Sequence, residues 1–178
     1  RASRSPHADR FLRWIEKKHY ASMEWITRHQ KRRIDPRNSL PGAQSVLSVT
    51  LPYSSTIPPD NDCSSSRSAV KTARYARGRD YHRVMRPMLK SLCDFICDGG
   101  RWKTWWSVDT SPLLERDWAE LSGIGWIGKN GLVIDQEIGS WFFLGAVVTD
   151  RPYLPTPPAV DHCGNCTRCI DACPTDAI

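Results

Sequence analysis

The sequence predicts an α+β fold, in which one main domain over residues 1–150 precedes a short cysteine-rich module. Three observations support this prediction: helical and strand-like apolar patterns alternate along the chain, a proline-rich run occupies residues 151–160, and four closely spaced cysteines follow within residues 161–178. Proline-rich segments are stiff, so residues 151–160 are expected to act as a linker. A chain of 178 residues can bury one substantial core plus a small appendage.

The first half of the chain holds three predicted elements. Apolar side chains recur at helical intervals over residues 9–28, which predicts one amphipathic helix. Residues 45–51 alternate and are β-branched, as is typical of a strand that enters a core. Asp80 is a suitable start for a second helix, and Gly99 and Gly100 supply its end.

The remaining segments extend the mixed pattern. A polar loop rich in proline and serine covers residues 52–68 and is long enough to be functional. Apolar and β-branched runs predict three strands, and a helical pattern lies between the first and second of them. These elements are strands over residues 102–108, 132–134 and 141–148, and a helix over residues 113–121.

Targeting and cysteine usage indicate a reducing compartment. The chain has no run of 18 apolar residues and no signal-peptide pattern, so we expect a cytoplasmic protein that does not insert into a membrane. It begins with Arg1 rather than Met, and we expect residues to be missing at both ends. Cys63, Cys93 and Cys97 are interpreted as buried free thiols, the last two on one helix face.

Charge is distributed unevenly along the chain. Residues 1–100 hold 19 Lys/Arg and 9 Asp/Glu, whereas residues 101–178 hold 6 and 10. A basic half is either a solvated surface or a docking site for a polyanion such as the phosphate backbone of RNA. The candidate phosphate contacts are Lys31, Arg32 and Arg33 together with the arginines at 67, 74, 77, 79, 83 and 86.

Four cysteines near the end follow the spacing C-x2-C-x2-C-x3-C-P. In this iron–sulfur pattern three thiolates hold one cluster, and the fourth serves a second cluster in two-cluster proteins. Zinc ribbons instead separate two C-x2-C pairs by roughly 12 to 20 residues, so zinc is the weaker alternative. The predicted metal ligands are Cys163, Cys166, Cys169 and Cys173.

The glycine-rich run over residues 123–131 imitates two nucleotide-binding motifs. Gly123, Gly125 and Gly128 satisfy G-x-G-x-x-G, but the predicted order is helix before strand, the reverse of a dinucleotide fold. Lys129 completes most of a P-loop, yet Asn130 replaces the Ser or Thr that would hold magnesium. The run is either a plain turn, with Gly123 as the C-cap of the preceding helix, or a loop whose backbone amides contact a large planar or anionic ligand.

Several further stretches accompany the glycine-rich run and the cysteine motif. The set is residues 74–82 (RYARGRDYH), 108–112 (VDTSP) with Glu115 and Arg116, 123–130 (GIGWIGKN), 139–141 (GSW) with 143–145 (FLG), and the cysteine motif through Thr175. Taken together, these stretches resemble one family, the epoxyqueuosine reductases, which are cobalamin-dependent iron–sulfur enzymes of queuosine tRNA modification. The resemblance covers most of the chain from about Arg33 onward.

This resemblance implies a nitroreductase-like cobalamin-binding domain followed by a ferredoxin-like module, which is incomplete in this chain. Two 4Fe-4S clusters in the complete family protein would reduce cobalamin to its cob(I)alamin state. The reduced cobalamin would convert epoxyqueuosine to queuosine at the wobble position of the tRNA anticodon, with loss of the epoxide oxygen as water. The implied partners are tRNA and an external low-potential electron donor, and we expect a monomer.

The resemblance also implies site residues. Asp109 matches the family's acidic position and is expected to donate a proton, with a pKa raised by nearby apolar rings and the corrin edge. The structural alternative is that Asp109 caps the following helix. Tyr75, Tyr81 and His82 are further candidates for the same cavity. The implied cobalamin-binding residues are Arg33, Asp109, Lys129, Asn130, Ser140 and Trp141.

Two other classes of function fit parts of the sequence. A ferredoxin-like electron carrier would use the cysteine motif and dock a redox partner through the basic half. Another cobalamin-dependent reductase would act on a small molecule rather than on RNA. A cobalamin spectrum would exclude the first alternative, and salt-sensitive tRNA binding would argue against the second.

Overall fold

A computed structural model describes residues 1–53 and 72–178 of the chain. Most of the predicted loop over residues 52–68, with Cys63 and Arg67, lies outside the described residues. The α-helices are α1 (Ala8–Glu16), α2 (Gln30–Ile34), α3 (Tyr81–Cys97), α4 (Glu115–Leu121) and α5 (Arg168–Asp171). The strands are β1 (Ser45–Pro52), β2 (Thr104–Ser107), β3 (Trp126–Ile127), β4 (Val133–Ile134) and β5 (Phe142–Thr149). Short 3-10 turns occur at Glu24–Thr27, Pro36–Asn38 and Arg74–Ala76.

Strand β5 is the centre of an antiparallel sheet in the order β1-β5-β2. Ser45 pairs with Thr149 at one end of β1, and Pro52 pairs with Phe142 at the other. The sequence of β5, FFLGAVVT, is almost continuously apolar, as expected for a strand covered on both faces. Strands β3 and β4 form a separate antiparallel pair beside α4.

Helix α3 packs on one face of the sheet and helix α4 on the other. Met85 and Leu89 of α3 are buried in a cluster with Val147 of β5. On the opposite face, Trp118 of α4 packs with Ala146 of β5. Gly145 allows α3 to approach closely, since a Cβ at this position would lie 2.9 Å from the Met85 side chain. The sheet therefore lies between helices, which agrees with the predicted α+β class.

The single helix predicted over residues 9–28 is wrong. Helix α1 ends at Glu16, and Lys18 and Ala21 both adopt left-handed backbone angles, with φ of 54° and 48°. The apolar residues that produced the helical period belong to two segments, α1 and the later 3-10 turn, and line one cavity. These residues are Phe11, Trp14, Trp25 and Ile26. Two segments that fold over a common cavity mimicked the stripe of one amphipathic helix.

The other predicted helices and strands are present, with shorter bounds for several of them. Asp80 caps α3 by accepting a hydrogen bond from the backbone N–H of His82 at 2.9 Å. Gly123 follows the end of α4 in a left-handed conformation, with φ of 76°, as the C-cap interpretation requires. The glycine-rich run follows a helix rather than a strand, which excludes the dinucleotide and P-loop interpretations.

The segment over residues 151–160 has no regular secondary structure but touches the main domain. Thr156 Oγ1 donates to the Ser122 carbonyl at 3.0 Å, and the N–H of Ala159 donates to the Glu120 carbonyl at 2.8 Å. The division of the chain at this segment stays a prediction. Within the described ranges, no helix is long and apolar enough to cross a membrane.

Candidate functional site

Two adjoining cavities open beside the first turn of α4. The larger has a volume of about 760 Å³ and the smaller about 250 Å³. The two cavities share three lining residues, which are Asp109, Glu115 and Arg116. The larger cavity extends from these residues to the glycine-rich run and reaches Cys163 in the cysteine segment. A ligand in the larger cavity would therefore contact both the Asp109 loop and the start of the cysteine motif.

Asp109 lies where the chain leaves β2 and has a left-handed backbone, with φ of 48°. Such a conformation is uncommon for residues other than glycine and recurs at functional sites. Tyr81 Oη donates a short hydrogen bond to Asp109 Oδ2. The Asp109 side chain is 65% exposed, so the described residues do not build the apolar enclosure expected from the sequence. It does not cap α4 either, because that helix begins after Leu114 with no side-chain cap.

The ring of Tyr81 is fixed by packing on both sides. It stacks on Phe143 at 4.1 Å between centroids, with 6° between the planes, and on His82 at 4.1 Å. Burial, followed by the hydrogen bond to Asp109, raises the pKa of Tyr81 well above its usual value. The hydroxyl therefore remains protonated and keeps donating to Asp109.

His82 also faces Asp109. Its Nδ1 lies 2.9 Å from Asp80 Oδ1, and its Nε2 lies 3.7 Å from Asp109 Oδ2. The hydrogen bonds from His82 hold the pKa of Asp80 below its ordinary value. His82 Nε2 is buried and has no hydrogen-bond partner among residues 1–53 and 72–178. An Asp80 carboxylate on Nδ1 orients this ring so that Nε2 faces the site.

Glu115, the first residue of α4, is a site residue to which the sequence assigned no specific role. Its Oε1 accepts a hydrogen bond from Ser107 Oγ at 2.7 Å. Burial raises the pKa of Glu115 to about 7, and the neighbouring charge of Asp109 acts in the same direction. The Ser107 hydrogen bond and the charge of Arg33 oppose that shift. The sequence signal was the Glu115-Arg116 pair six residues after Asp109, which is also consistent with a surface ion pair.

Arg33 is not an exposed phosphate contact, which corrects one of the two predictions made for it. It is buried, lines the larger cavity, and its guanidinium lies 5.6 Å from the centre of the Trp25 ring. Arg33 Nε has no hydrogen-bond partner among the described residues. Arg32 is partly buried as well, with Nε bonded to Ser39 and its guanidinium over Trp105. Only Lys31 of this basic trio is exposed.

Lys129 and Asn130 use their side chains within the protein. Lys129 Nζ donates to the carbonyls of Gly164 at 2.8 Å and of Cys166 at 2.9 Å. Asn130 Oδ1 accepts from the backbone N–H of Leu132 at 3.1 Å, as in an Asx turn. Lys129 still lines the larger cavity, but its ammonium group connects the glycine-rich run to the cysteine segment.

Ser140 and Trp141 directly precede β5, but only Ser140 lines a cavity. Ser140 is among the residues that line the smaller cavity, together with Phe142 and Leu144. Trp141 is 45% exposed, and the Arg74 guanidinium lies 5.1 Å from its ring centre. Ser140 and Asp109 therefore line the same smaller cavity, whereas Arg33 and Lys129 line the larger one.

The cysteine segment is exposed and held by a few hydrogen bonds. Trp126 Nε1 donates to Cys163 Sγ at 3.3 Å. The backbone N–H of Ala177 donates to Cys173 Sγ at 3.3 Å, and hydrogen bonds led by that from Thr175 lower the pKa of Cys173 to about 7. In the described part of the chain, no three His, Cys, Asp or Glu side chains are arranged to hold a metal ion. The cluster ligands stay a prediction.

A second hydrogen-bonded group, which no sequence pattern predicted, connects the N-terminal segment to α4. Ser5 Oγ donates to Asp117 Oδ2, and His7 Nδ1 lies 3.0 Å from Asp117 Oδ1. Asp117 is buried, and His7 lines the larger cavity. The segment that contains α1 is thereby held as one wall of the cavity. These contacts join residues more than 100 positions apart in the chain, so no local sequence pattern predicts them.

The fold and the site together define a ligand-binding α+β domain with a cysteine-rich extension, a class that includes redox enzymes. A family model described as "Epoxyqueuosine reductase QueG, DUF1730" matches residues 33–110. A curated epoxyqueuosine reductase from Cyclobacterium marinum is 39% identical over 173 residues, which cover 96% of this chain and 54% of that protein.

Solved structures of epoxyqueuosine reductases are also similar to this chain. An epoxyqueuosine reductase from Bacillus subtilis, described with its aspartate catalytic loop swung out of the active site, has a TM-score of 0.83 and 31% identity. The match covers 99% of this chain and 46% of that one. Another epoxyqueuosine reductase, in complex with an epoxyqueuosine-modified tRNA stem loop, has a TM-score of 0.80 and 30% identity over 99% of this chain and 47% of that one.

Over nearly its whole length the chain is thus similar to epoxyqueuosine reductases, and the family model matches residues 33–110. It spans about half the length of the curated relatives that it matches.

Proposed function

We propose that the protein reduces epoxyqueuosine to queuosine in tRNA, with cobalamin and iron–sulfur clusters as its cofactors. The observation that carries this proposal is Asp109, hydrogen-bonded by Tyr81 at the junction of two cavities, in a chain this similar to epoxyqueuosine reductases. One relative is described as bound to an epoxyqueuosine-modified tRNA stem loop. This similarity favours a tRNA-modifying enzyme over an electron carrier or a small-molecule reductase.

The larger cavity has a lining that suits one part of a corrinoid. Its volume of about 760 Å³ lies in the upper part of the range of ligand pockets, roughly 300 to 1,000 Å³. The wall offers apolar rings such as Trp14 for a corrin face and the unpaired Nε of Arg33 for a polar substituent. Gly128 lets the side chains of Ile134 and Asn130 pack against the glycine-rich run, because a Cβ there would crowd them.

The residues proposed to hold cobalamin make different contributions. Arg33 offers a buried positive charge, Ser140 lines the smaller cavity together with Asp109, and Trp141 offers an exposed ring next to Ser140 in the sequence. Lys129 and Asn130 contribute through the backbone loop that they shape, since their side-chain polar atoms already bond within the protein. When bound, cobalamin supplies a reduced cobalt centre that delivers electrons to the epoxide.

Asp109 is the proposed proton donor to the epoxide oxygen. Opening an epoxide leaves negative charge on that oxygen, and a positioned carboxylic acid neutralises it as the C–O bond breaks. Tyr81 orients the carboxyl group through Oδ2, and Phe143 keeps the Tyr81 ring in place. His82 is the nearest imidazole, with Nε2 at 3.7 Å from Oδ2, and lies where it can return a proton to Asp109 between turnovers.

The four cysteines are proposed as ligands of 4Fe-4S clusters. The chemistry of the donor set fits, since three thiolates at C-x2-C-x2-C spacing and a fourth before proline match iron–sulfur ligation. The N–H groups of Trp126 and Ala177 already donate to two of the sulfurs, as donors commonly do around such clusters. The clusters, when bound, supply electrons one at a time.

The test uses the protein expressed from its complete reading frame and purified without oxygen. Cobalamin, a low-potential reductant and epoxyqueuosine-tRNA are added, and the digested nucleosides are analysed by mass spectrometry. We expect the modified nucleoside to lose one oxygen atom. A protein that carries cobalamin and clusters but leaves the nucleoside unchanged would contradict the proposed function.

A further inference from the structure

We propose that Glu115 is a second proton donor of the reaction, which works beside Asp109 and provides the proton that completes the departing water. This inference rests on the proposed function. It assigns a role to a carboxyl group that lines both cavities and accepts a hydrogen bond from Ser107.

The balance of the reaction calls for two protons. Both C–O bonds of the epoxide break, a C=C bond forms, and the oxygen leaves as water with two new O–H bonds. The two electrons come from the reduced corrinoid, which is itself recharged by the external donor. One carboxylic acid holds one proton, so Asp109 alone supplies half of the requirement in a single turnover. A second acid close to the same oxygen removes the need to recharge Asp109 during the reaction.

Glu115 lies in the right part of the site. Asp109 follows strand β2 and Glu115 begins helix α4, so two different elements bring these two residues to the junction of the cavities. The position of Glu115 is fixed by the Ser107 hydrogen bond, and Ser107 is itself fully buried. Substrate oxygen at this junction would therefore lie between two independently supported carboxyl groups.

The surroundings of Glu115 keep a proton on it near neutral pH. Burial is the largest cause and raises its pKa to about 7. The charged and titratable groups that face it are Arg33 from α2, Asp109 from the loop after β2, and Tyr81 from α3. Its neighbour Arg116 donates to the Gly131 carbonyl. Acids with a pKa near the working pH are the most effective proton donors.

The chemistry then divides between the two acids. Asp109, which is 65% exposed, gives its proton to the oxygen as the first C–O bond breaks, and it can recover one from solvent or His82. Glu115, which is more buried, gives its proton to the resulting hydroxyl as the second C–O bond breaks. The oxygen then leaves as neutral water rather than as hydroxide, and the electron pair of the corrinoid remains in the new C=C bond.

The experiment compares the holoenzyme with its Glu115→Gln and Ser107→Ala variants, with Glu137→Gln as a control at an exposed carboxylate. Infrared difference spectra between pH 6 and pH 8.5 report the protonated carboxyl directly and do not depend on turnover. We expect one carboxyl band with a midpoint near pH 7 that is absent in Glu115→Gln. Ser107→Ala should move the midpoint upward, because the lost hydrogen bond stabilised the charged form.

Anaerobic single-turnover conversion of epoxyqueuosine-tRNA supplies the second measurement. The single-turnover rate of the parent should fall as pH rises through 7. Glu115→Gln should be slower by about 10²-fold or more, and its rate should not show this decrease with pH. An active parent whose Glu115→Gln variant converts substrate within about fivefold, below the usual range for a proton donor, would overturn this inference alone. The absence of a Glu115 carboxyl band would overturn it too. A loaded parent with no conversion would overturn the proposed function and this inference with it.

Discussion

The cavity region and the cysteine segment are stabilised in different ways. Around the cavities, side chains are held by packing against a sheet covered on both faces, as Tyr81 is held by Phe143. In residues 151–178, all of which are described, no side chain is buried, and the contacts to the main domain include hydrogen bonds, two of them from Lys129, and a ring contact between Trp126 and His162. The side chains proposed to transfer protons are therefore preorganised by the protein, whereas the cysteines, by our proposal, acquire their final geometry together with their metal.

The largest expected effect is that of Asp109→Asn on turnover. Asn keeps an oxygen that accepts from Tyr81 but has no acidic proton, so the rate of a single turnover should fall by about 10²- to 10⁴-fold. The measurement is conversion of epoxyqueuosine-tRNA by pre-reduced holoenzyme, which removes electron supply as a variable. Asp94→Asn, on the exposed side of α3, is the matched control and should behave as the parent. A rate within fivefold of the parent, with cobalamin bound, would move the proton donor elsewhere.

The second prediction concerns stability and pH at Glu115. Its pKa is raised from 4.5 to about 7 in the folded state, so the folded protein binds this proton more tightly than the unfolded chain. The corresponding stability is fully present below pH 4.5 and is lost as pH rises through 7, by on the order of 3 kcal/mol. Glu115→Gln carries no such proton. Denaturation curves should show that the variant gains stability relative to the parent between pH 5 and pH 8.

A constant stability difference between the two proteins from pH 5 to pH 8 would contradict this second prediction. Glu137→Gln again supplies the control, because an exposed carboxylate should leave the pH dependence of unfolding unchanged. The measurement needs neither cobalamin nor tRNA. It therefore tests the environment of Glu115 separately from its chemistry.

The contrast between the two regions also explains what could be predicted from the sequence. Strands and helices with a strong period, such as β1, α3 and β5, were found because their burial follows a local pattern. Asp109 and the cysteines were assigned to the site through motifs, and their roles stay predictions. The N-terminal helix was predicted too long because two segments line one cavity. Tertiary contacts leave no periodic signal in the sequence. They fix the position of Glu115 and form the hydrogen bond between Ser5 and Asp117.

The third prediction concerns Lys129, which connects the cavity region to the cysteine segment. Lys129→Met removes two hydrogen bonds to the cysteine segment but keeps the length of the side chain. A net loss of about 1 kcal/mol, typical of such bonds, corresponds to roughly fivefold lower protection. We expect hydrogen exchange at residues 163–166 to accelerate accordingly, while exchange in α3 and β5 is unchanged. Lys103→Met is the control, and equal exchange in all three proteins would mean that Lys129 does not hold the segment.

The smallest expected effect concerns tRNA binding by the basic half of the chain. The sequence suggested three phosphate contacts at Lys31, Arg32 and Arg33, but only Lys31 is exposed, whereas Arg33 is buried against the cavity. Because each lost phosphate contact reduces the salt slope by roughly 0.7 to 0.9, Lys31→Ala should flatten the dependence of log K on log[salt] by about one unit rather than three. The measurement is a tRNA-binding titration at several salt concentrations.

Lys90→Ala removes one charge from the exposed side of α3 and serves as the control for that titration. A slope that changes equally in both variants would indicate a general effect of net charge. An unchanged slope in Lys31→Ala would mean that Lys31 is a solvated side chain outside the tRNA interface. Arg33→Lys keeps the positive charge but replaces the planar guanidinium with an ammonium group. It should therefore leave the salt dependence of tRNA binding unchanged and weaken cobalamin binding instead. That outcome would separate the two roles that the sequence assigned to the same arginine.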